Sequence, residues 1–197
     1  MRRNKIIGLT GQSGAGKSTA AAVFRAHGFE VIDADKQVAE IYKSDPVCLR
    51  AAAAVFGGDI IGSDGSLDRP LLAQRAFSSA ENTALLGRLV HPFVLADTLK
   101  RLKSARGAVV IDAPQLFESN IDAICDCVVS VLASRDICLE RVIRRDGISR
   151  ERAEQRLNAQ LSEEYFRENS DFILENNGCE AELIKKTEEL ISNKEVI

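Results

Sequence analysis

No stretch of the sequence approaches the 18 apolar residues that a membrane-crossing helix needs. The basic start, Met1-Arg2-Arg3-Asn4-Lys5, leads into a short apolar run that turns at once into a glycine-rich loop, unlike a secretory leader. A C-x-x-C pair is also missing. The five cysteines, Cys48, Cys125, Cys127, Cys138 and Cys179, are odd in number, which points away from a disulfide framework or a zinc site and towards reduced, partly buried thiols. There is no excess of positive charge: 26 Lys and Arg stand against 29 Asp and Glu, a net charge of −3. That balance argues against general attraction to nucleic acid or an anionic membrane, so any anionic ligand must be met by a local cluster. Internal repeats, low-complexity segments and a serine or cysteine triad are likewise absent. What is present, 197 residues with 45% hydrophobic and 28% charged, suits one cytoplasmic globular domain with a sizeable insertion.

The chain alternates between short apolar runs and helix-length segments. Lys5–Thr10, Phe29–Asp33, Ala108–Asp112, Val128–Leu132 and Phe172–Leu174 read as buried strands. The alternation predicts an α/β fold, a parallel sheet flanked by helices with ligands gathered at the carboxyl ends of the strands. Ser18–His27 is alanine-rich and helical, closed by Gly28. The interval 36–106 is longer than one crossover helix and two loops require, so it predicts an inserted helical subdomain. Its helical pieces read as Val38–Tyr42, Cys48–Phe56, Leu71–Phe77, Ala84–Val90 and Pro92–Ser104. The stretch 137–167, dense in charge and helix formers, predicts a lid, although a solvated helical face would also carry such charge.

Gly11-Gln12-Ser13-Gly14-Ala15-Gly16-Lys17-Ser18 fits G-x-x-x-x-G-K-[ST] between the first strand and the first helix. The glycines allow backbone N–H groups to turn towards phosphate and the helix start adds partial positive charge. Lys17 can then bridge phosphate oxygens while the Ser18 hydroxyl ligates Mg²⁺. Asp33 and Asp35 close the second strand; extended spacing would point both the same way, one to accept a substrate proton and one to hold the hydroxyl or a metal-bound water. Asp35 could instead cap the helix from Lys36. Val109-Val110-Ile111-Asp112 resembles a Walker B strand. Arg141 and Arg145, at i and i+4, share a helix face from which they could reach phosphates, or else form surface ion pairs with Glu140 or Asp146. His91, before Pro92, is expected to enter a helix rather than lie within one, and His27 to sit at an exposed helix end.

Taken together these residues resemble the dephospho-CoA kinase family over most of the chain. The resemblance rests on Gly8-Leu9-Thr10-Gly11 through Ser18-Thr19, Val31–Asp35, Asp64-Gly65 with Leu67 and Arg69, and His91-Pro92. Pro114 with Leu116 and Glu118, Arg141 to Asp146, Gln160, and Asp171 followed by Asn176-Asn177-Gly178 complete it. It implies a P-loop kinase core with a five-stranded parallel sheet (1–35, 107–136 and 168–197), a helical CoA-binding insertion (about 36–106) and a helical lid (about 137–167). The implied partners are ATP, with Mg²⁺, and dephospho-CoA. By position, Asp35 with Asp33 beside it, Lys17 and Arg141 would be catalytic. Gly11, Ser13, Gly14, Ala15, Gly16, Ser18, Thr19, Arg145 and Asn176 would meet ATP, and Asp33, Arg69, His91, Pro114 and Leu116 the acceptor. Gln12-Ser13, where the family commonly has Gly-Ile, and Gln115 depart from the pattern. A nucleoside monophosphate kinase would share the loop and lid but not the long insertion. A GTP-dependent switch would need an N-K-x-D segment, and Asn193-Lys194-Glu195-Val196 lacks the aspartate.

Overall fold

The computed structural model describes residues 4–193; Met1 to Arg3 of the basic start and Lys194 to Val196 of the late N-K-E-V segment lie outside them. In chain order the elements are β1 (Ile6–Gly11), α1 (Lys17–Ala26), β2 (Glu30–Asp33), α2 (Ala34–Ser44), α3 (Pro46–Phe56), α4 (Arg69–Ala76), α5 (Ala80–Ser104) and β3 (Val109–Asp112). There follow β4 (Cys127–Leu132), α6 (Arg135–Asp146), α7 (Arg150–Asn158), α8 (Glu163–Asn169), β5 (Phe172–Glu175) and α9 (Glu180–Ile191). The chain forms two compact units, Asp33–Ser104 and the sheet-bearing remainder. Among the described residues no helix is long and apolar enough to cross a membrane.

The strands form one parallel sheet in the order β2-β3-β1-β4-β5. β1 is central and buried at every position because it pairs on both sides, with β3 from Ile6–Val109 to Leu9–Asp112 and with β4 from Ile7–Cys127 to Gly11–Val131. Its continuous apolar run is what burial on two faces demands. Two carboxylates pin the strand starts: Asp126 accepts the Ile6 N–H at 2.8 Å and Asp171 accepts the Val128 N–H at 2.7 Å. The core joins Ile7, Leu9, Val129 and Val131 of the sheet to Phe24 of α1, Leu139 and Val142 of α6 and Leu183 of α9. This register brings the carboxyl ends of β1, β3 and β4 together, with the loop after β1 at their centre.

In the helical unit, α2, α3 and α4 each start on an aspartate, Asp33, Asp45 and Asp68, whose side chain accepts a backbone N–H of the first turn. Gln37 is buried between α2 and α5, and its amide nitrogen donates to the Asp97 carboxylate at 2.8 Å and the Thr98 hydroxyl at 3.0 Å. Arg101 then ties Asp97 to Glu40.

One expectation fails here. His91 lies inside α5, which runs unbroken through Pro92 instead of dividing into two helices. Proline brings no N–H for the carbonyl four residues earlier, a cost of about 3 kcal/mol in a helix interior. The helix nevertheless continues because Val90, Val94 and Thr98, at i, i+4 and i+8, form one buried stripe spanning the proline, whose own ring faces solvent.

Candidate active site

The loop between β1 and α1 takes its shape from glycine. Gly16 caps α1 at φ 108°, and a Cβ there would stand 2.5 Å from the Asn176 amide nitrogen. Only glycine meets both conditions. Asn176 follows β5, where its N–H donates to the Leu132 carbonyl at 2.8 Å, and its side chain reaches across to donate to the Ala15 carbonyl at 2.7 Å. The Asn176 side-chain oxygen is buried and has no hydrogen-bond partner among the described residues. Ser13 N–H donates to the Gln160 side-chain oxygen at 2.9 Å, and Gln12 accepts the Ala133 N–H at 3.4 Å. Thr19 donates to Glu180 at 3.2 Å.

Lys17, the first residue of α1, forms an ion pair with Asp112 at the end of β3. Both side chains are largely buried, 18% and 8% exposed, so the pair sits in a medium where charge–charge interaction is stronger than in bulk water. Thr10, at the end of β1, donates to the Pro114 carbonyl at 3.3 Å and so fixes the loop after β3. In that loop burial pushes the Glu118 carboxyl above its usual range.

The arginines of α6 divide their work. Arg141 donates to the carbonyls of Gly14 at 3.4 Å, Asn176 at 3.2 Å and Gly178 at 3.2 Å, joining the loop after β1 to the loop after β5. Arg145 makes a two-point ion pair with Asp146 at 2.7 and 2.9 Å, one of the surface pairings considered for it, and Arg156 joins the same carboxylate. These arginines hold the Asp146 carboxyl below its usual range. A cavity of about 380 Å³ opens beside the loop, lined among others by Gly14, Gly16, Arg141, Arg144 and Asn176. Arg144, rather than Arg145, lines it. Its i+3 spacing from Arg141 is the sequence signal that marks it; Gln160 belongs to the family pattern, but its sequence position gives no sign of its contact with Ser13.

In the helical unit, Asp33 and Asp35 do not occupy alternate strand positions. The chain turns into α2 directly after Asp33, whose carboxylate accepts the Lys36 N–H at 3.0 Å and pairs with the Lys36 ammonium at 3.2 Å. The cap is therefore Asp33, not Asp35, which stands exposed in the first turn. Arg69 opens α4 and donates to the Ala39 carbonyl at 3.1 Å. His91 is half-buried, and burial pushes its imidazole below the ordinary histidine range. Leu116, expected to touch the acceptor, is wholly buried in the sheet unit; a Cβ at Gly8 would lie 2.7 Å from it, so its side chain packs on β1 instead.

A phosphate-binding loop opening α1, a lysine held at its rim by a strand-end carboxylate, and arginine-bearing helices beside it, on a five-stranded parallel sheet, define a P-loop kinase. The family model for dephospho-CoA kinase matches residues 5–182. A dephospho-CoA kinase of Corynebacterium efficiens is 35% identical over 190 residues, covering 94% of this chain and 95% of its own, and one of Fusobacterium nucleatum is 37% identical over 185 residues, covering 93% and 95%. The crystal structure of TT1252 from Thermus thermophilus superposes with a TM-score of 0.82 at 31% identity, covering 96% of this chain and 97% of that one. The chain belongs to the dephospho-CoA kinase family, which carries out the last step of coenzyme A synthesis: the terminal phosphoryl group of ATP passes to the ribose 3′-hydroxyl of dephospho-CoA, giving CoA and ADP.

Proposed function

We propose that this transfer runs on Lys17, Asp35 and Arg141, with the triphosphate in the loop Gly11–Thr19, and that it takes place in the cytoplasm. The observation that carries the reading is the Lys17–Asp112 pair: a cation is stationed at the loop's rim and needs only to exchange a carboxylate for phosphate oxygens. The backbone N–H groups from Gly14 to Thr19 take the phosphates, assisted by the start of α1. The Ser18 hydroxyl and the Asp112 carboxylate are hard oxygen donors of the kind Mg²⁺ prefers, and they would hold it there. When bound, Mg²⁺ neutralises charge on the transferring phosphate.

Asp35 accepts the proton of the 3′-hydroxyl and orients its oxygen in line with the γ-phosphorus, while Asp33, already fixed by its cap to Lys36, supports the acceptor. Arg69, His91 and the backbone around Pro114 complete the acceptor's contacts. Arg141 stabilises the charge that develops during transfer, with Arg145 held in reserve through Asp146. The adenine end of ATP lies beside Asn176, whose unpartnered oxygen suits an amino donor. Asp35→Asn is expected to abolish transfer while ATP binding persists. Loss of transfer in Asp33→Asn but not in Asp35→Asn would reassign the base.

A further inference from the structure

We propose that Gln160 is a positioning residue for the phosphate-binding loop: its side-chain carbonyl latches the loop by accepting the Ser13 N–H. The two residues are 147 positions apart and meet at 2.9 Å. Gln160 is held at both ends. Its own N–H donates to the Leu157 carbonyl at 3.2 Å just past the end of α7, and α7 is anchored by Ala153 and Leu157, which belong to the core of the sheet unit.

Three successive loop residues are tied to three different elements. Gln12 is bound to Ala133 just past β4, Ser13 to Gln160 two residues past α7, and Gly14 to Arg141 of α6. The Ser13 bond is the shortest of the three, and the only one that uses a loop N–H. An N–H of this loop has three possible partners: water, phosphate or protein. With Gln160 in place, the Ser13 donor is committed to protein before any nucleotide arrives, and the curve that aims the following N–H groups is already set. Binding then orders less backbone, which is how a preformed site gains affinity. The latch also links the loop to the α6–α7 helical pair that carries the arginines, so both are held by one framework.

This role rests on the reading that the loop binds the triphosphate, and the experiment separates the two. Amide exchange of Ser13 is followed by NMR in the ligand-free protein and in Gln160→Met and Gln160→Glu. Methionine matches glutamine in length and shape but cannot accept this bond, whereas a glutamate carboxylate can. Removing one hydrogen bond of ordinary net strength should speed Ser13 exchange about tenfold in Gln160→Met and leave it slow in Gln160→Glu, with the Val129 and Leu174 amides unchanged in both. In Gln160→Met the Kd for ADP and the KM for ATP should rise about five- to tenfold while kcat at saturation changes less than twofold.

Unaltered Ser13 exchange in Gln160→Met overturns the latch. Faster exchange with unaltered ADP affinity overturns its positioning role. Should the parent protein bind no ADP although Ser13 protection still depends on Gln160, the nucleotide reading fails and the latch stands.

Discussion

Lys17 and Asp112, 95 positions apart, form an ion pair between the first turn of α1 and the carboxyl end of β3. Strand register produces it: β3 pairs with β1 so that Leu9 faces Asp112, which brings the strand-end carboxylate up to the loop that begins two residues later. A lysine so placed is already largely shielded from water, 18% exposed, and exchanging carboxylate for phosphate then costs little further desolvation.

The pair sets up a double-mutant test. Lys17→Met strands the Asp112 carboxylate in a mostly buried position, and should cost about 1–3 kcal/mol of stability. Adding Asp112→Asn should recover part of that loss, although turnover stays absent. Urea unfolding of the parent, both single variants and the double variant checks this; strictly additive losses would show the two side chains to be uncoupled.

Arg141→Ala removes a guanidinium that spans three carbonyls on two loops. On the proposed role of Arg141, turnover should fall by about 10³ or more, the scale of an arginine that stabilises a transferring phosphoryl group, with a much smaller change in melting temperature. Arg141→Lys should rescue poorly, since an ammonium point charge cannot reproduce a planar fork. Steady-state kinetics with calorimetry on both variants measures the split.

Gly16→Ala combines left-handed backbone with a collision against Asn176. Backbone strain alone should cost about 1–3 kcal/mol, and displacement of Asn176 should weaken ADP binding as well. Thermal unfolding and ADP titration read the two effects separately.

His91 gives a pH signature. Burial lowers its folded pKa below the unfolded value near 6.5, so the folded protein binds this proton less readily than the unfolded chain. The stability associated with neutral His91 is therefore fully present above about pH 6.5 and is lost as pH falls towards the folded value. Urea unfolding at pH 7.5 and pH 5 should show this loss in the parent and less of it in His91→Gln.

The thiols should differ sharply in reactivity. Cys179 is exposed, Cys48, Cys127 and Cys138 are buried, and Cys125 is partly buried with its pKa pushed up to about 12 by burial. A chromogenic disulfide should titrate one thiol rapidly in the native protein and all five in denaturant. More than one fast thiol in the native state would contradict the packing around α3, β4 or α6.

The sequence exposes the parts of this fold whose physics is local. Gly11 to Ser18 is readable because a phosphate loop fixes both its backbone conformations and the place of its lysine, and β1, β3 and β4 are readable as short, mostly apolar runs rich in valine and isoleucine and buried on two faces. What depends on tertiary placement was not legible. The partner of Lys17 comes from the neighbouring strand, the partner of Ser13 from the end of α7, and neither spacing has a local signature. The division between Arg141, Arg144 and Arg145 turns on the local presence of Asp146 and on which face of α6 borders the cavity. Asp33 and Asp35 look like strand neighbours in the sequence because the chain passes from β2 to α2 with no linker, and Pro92 conceals a helix that is sustained by its buried stripe.

The central claim is tested most directly by ADP release from the purified protein with Mg-ATP, comparing dephospho-CoA with AMP, CMP and shikimate as acceptors and confirming the product by mass. Turnover that depends on dephospho-CoA, yields CoA and disappears in Asp35→Asn is the predicted result. Turnover with one of the other acceptors and none with dephospho-CoA would contradict the account while leaving the phosphate-binding loop in place.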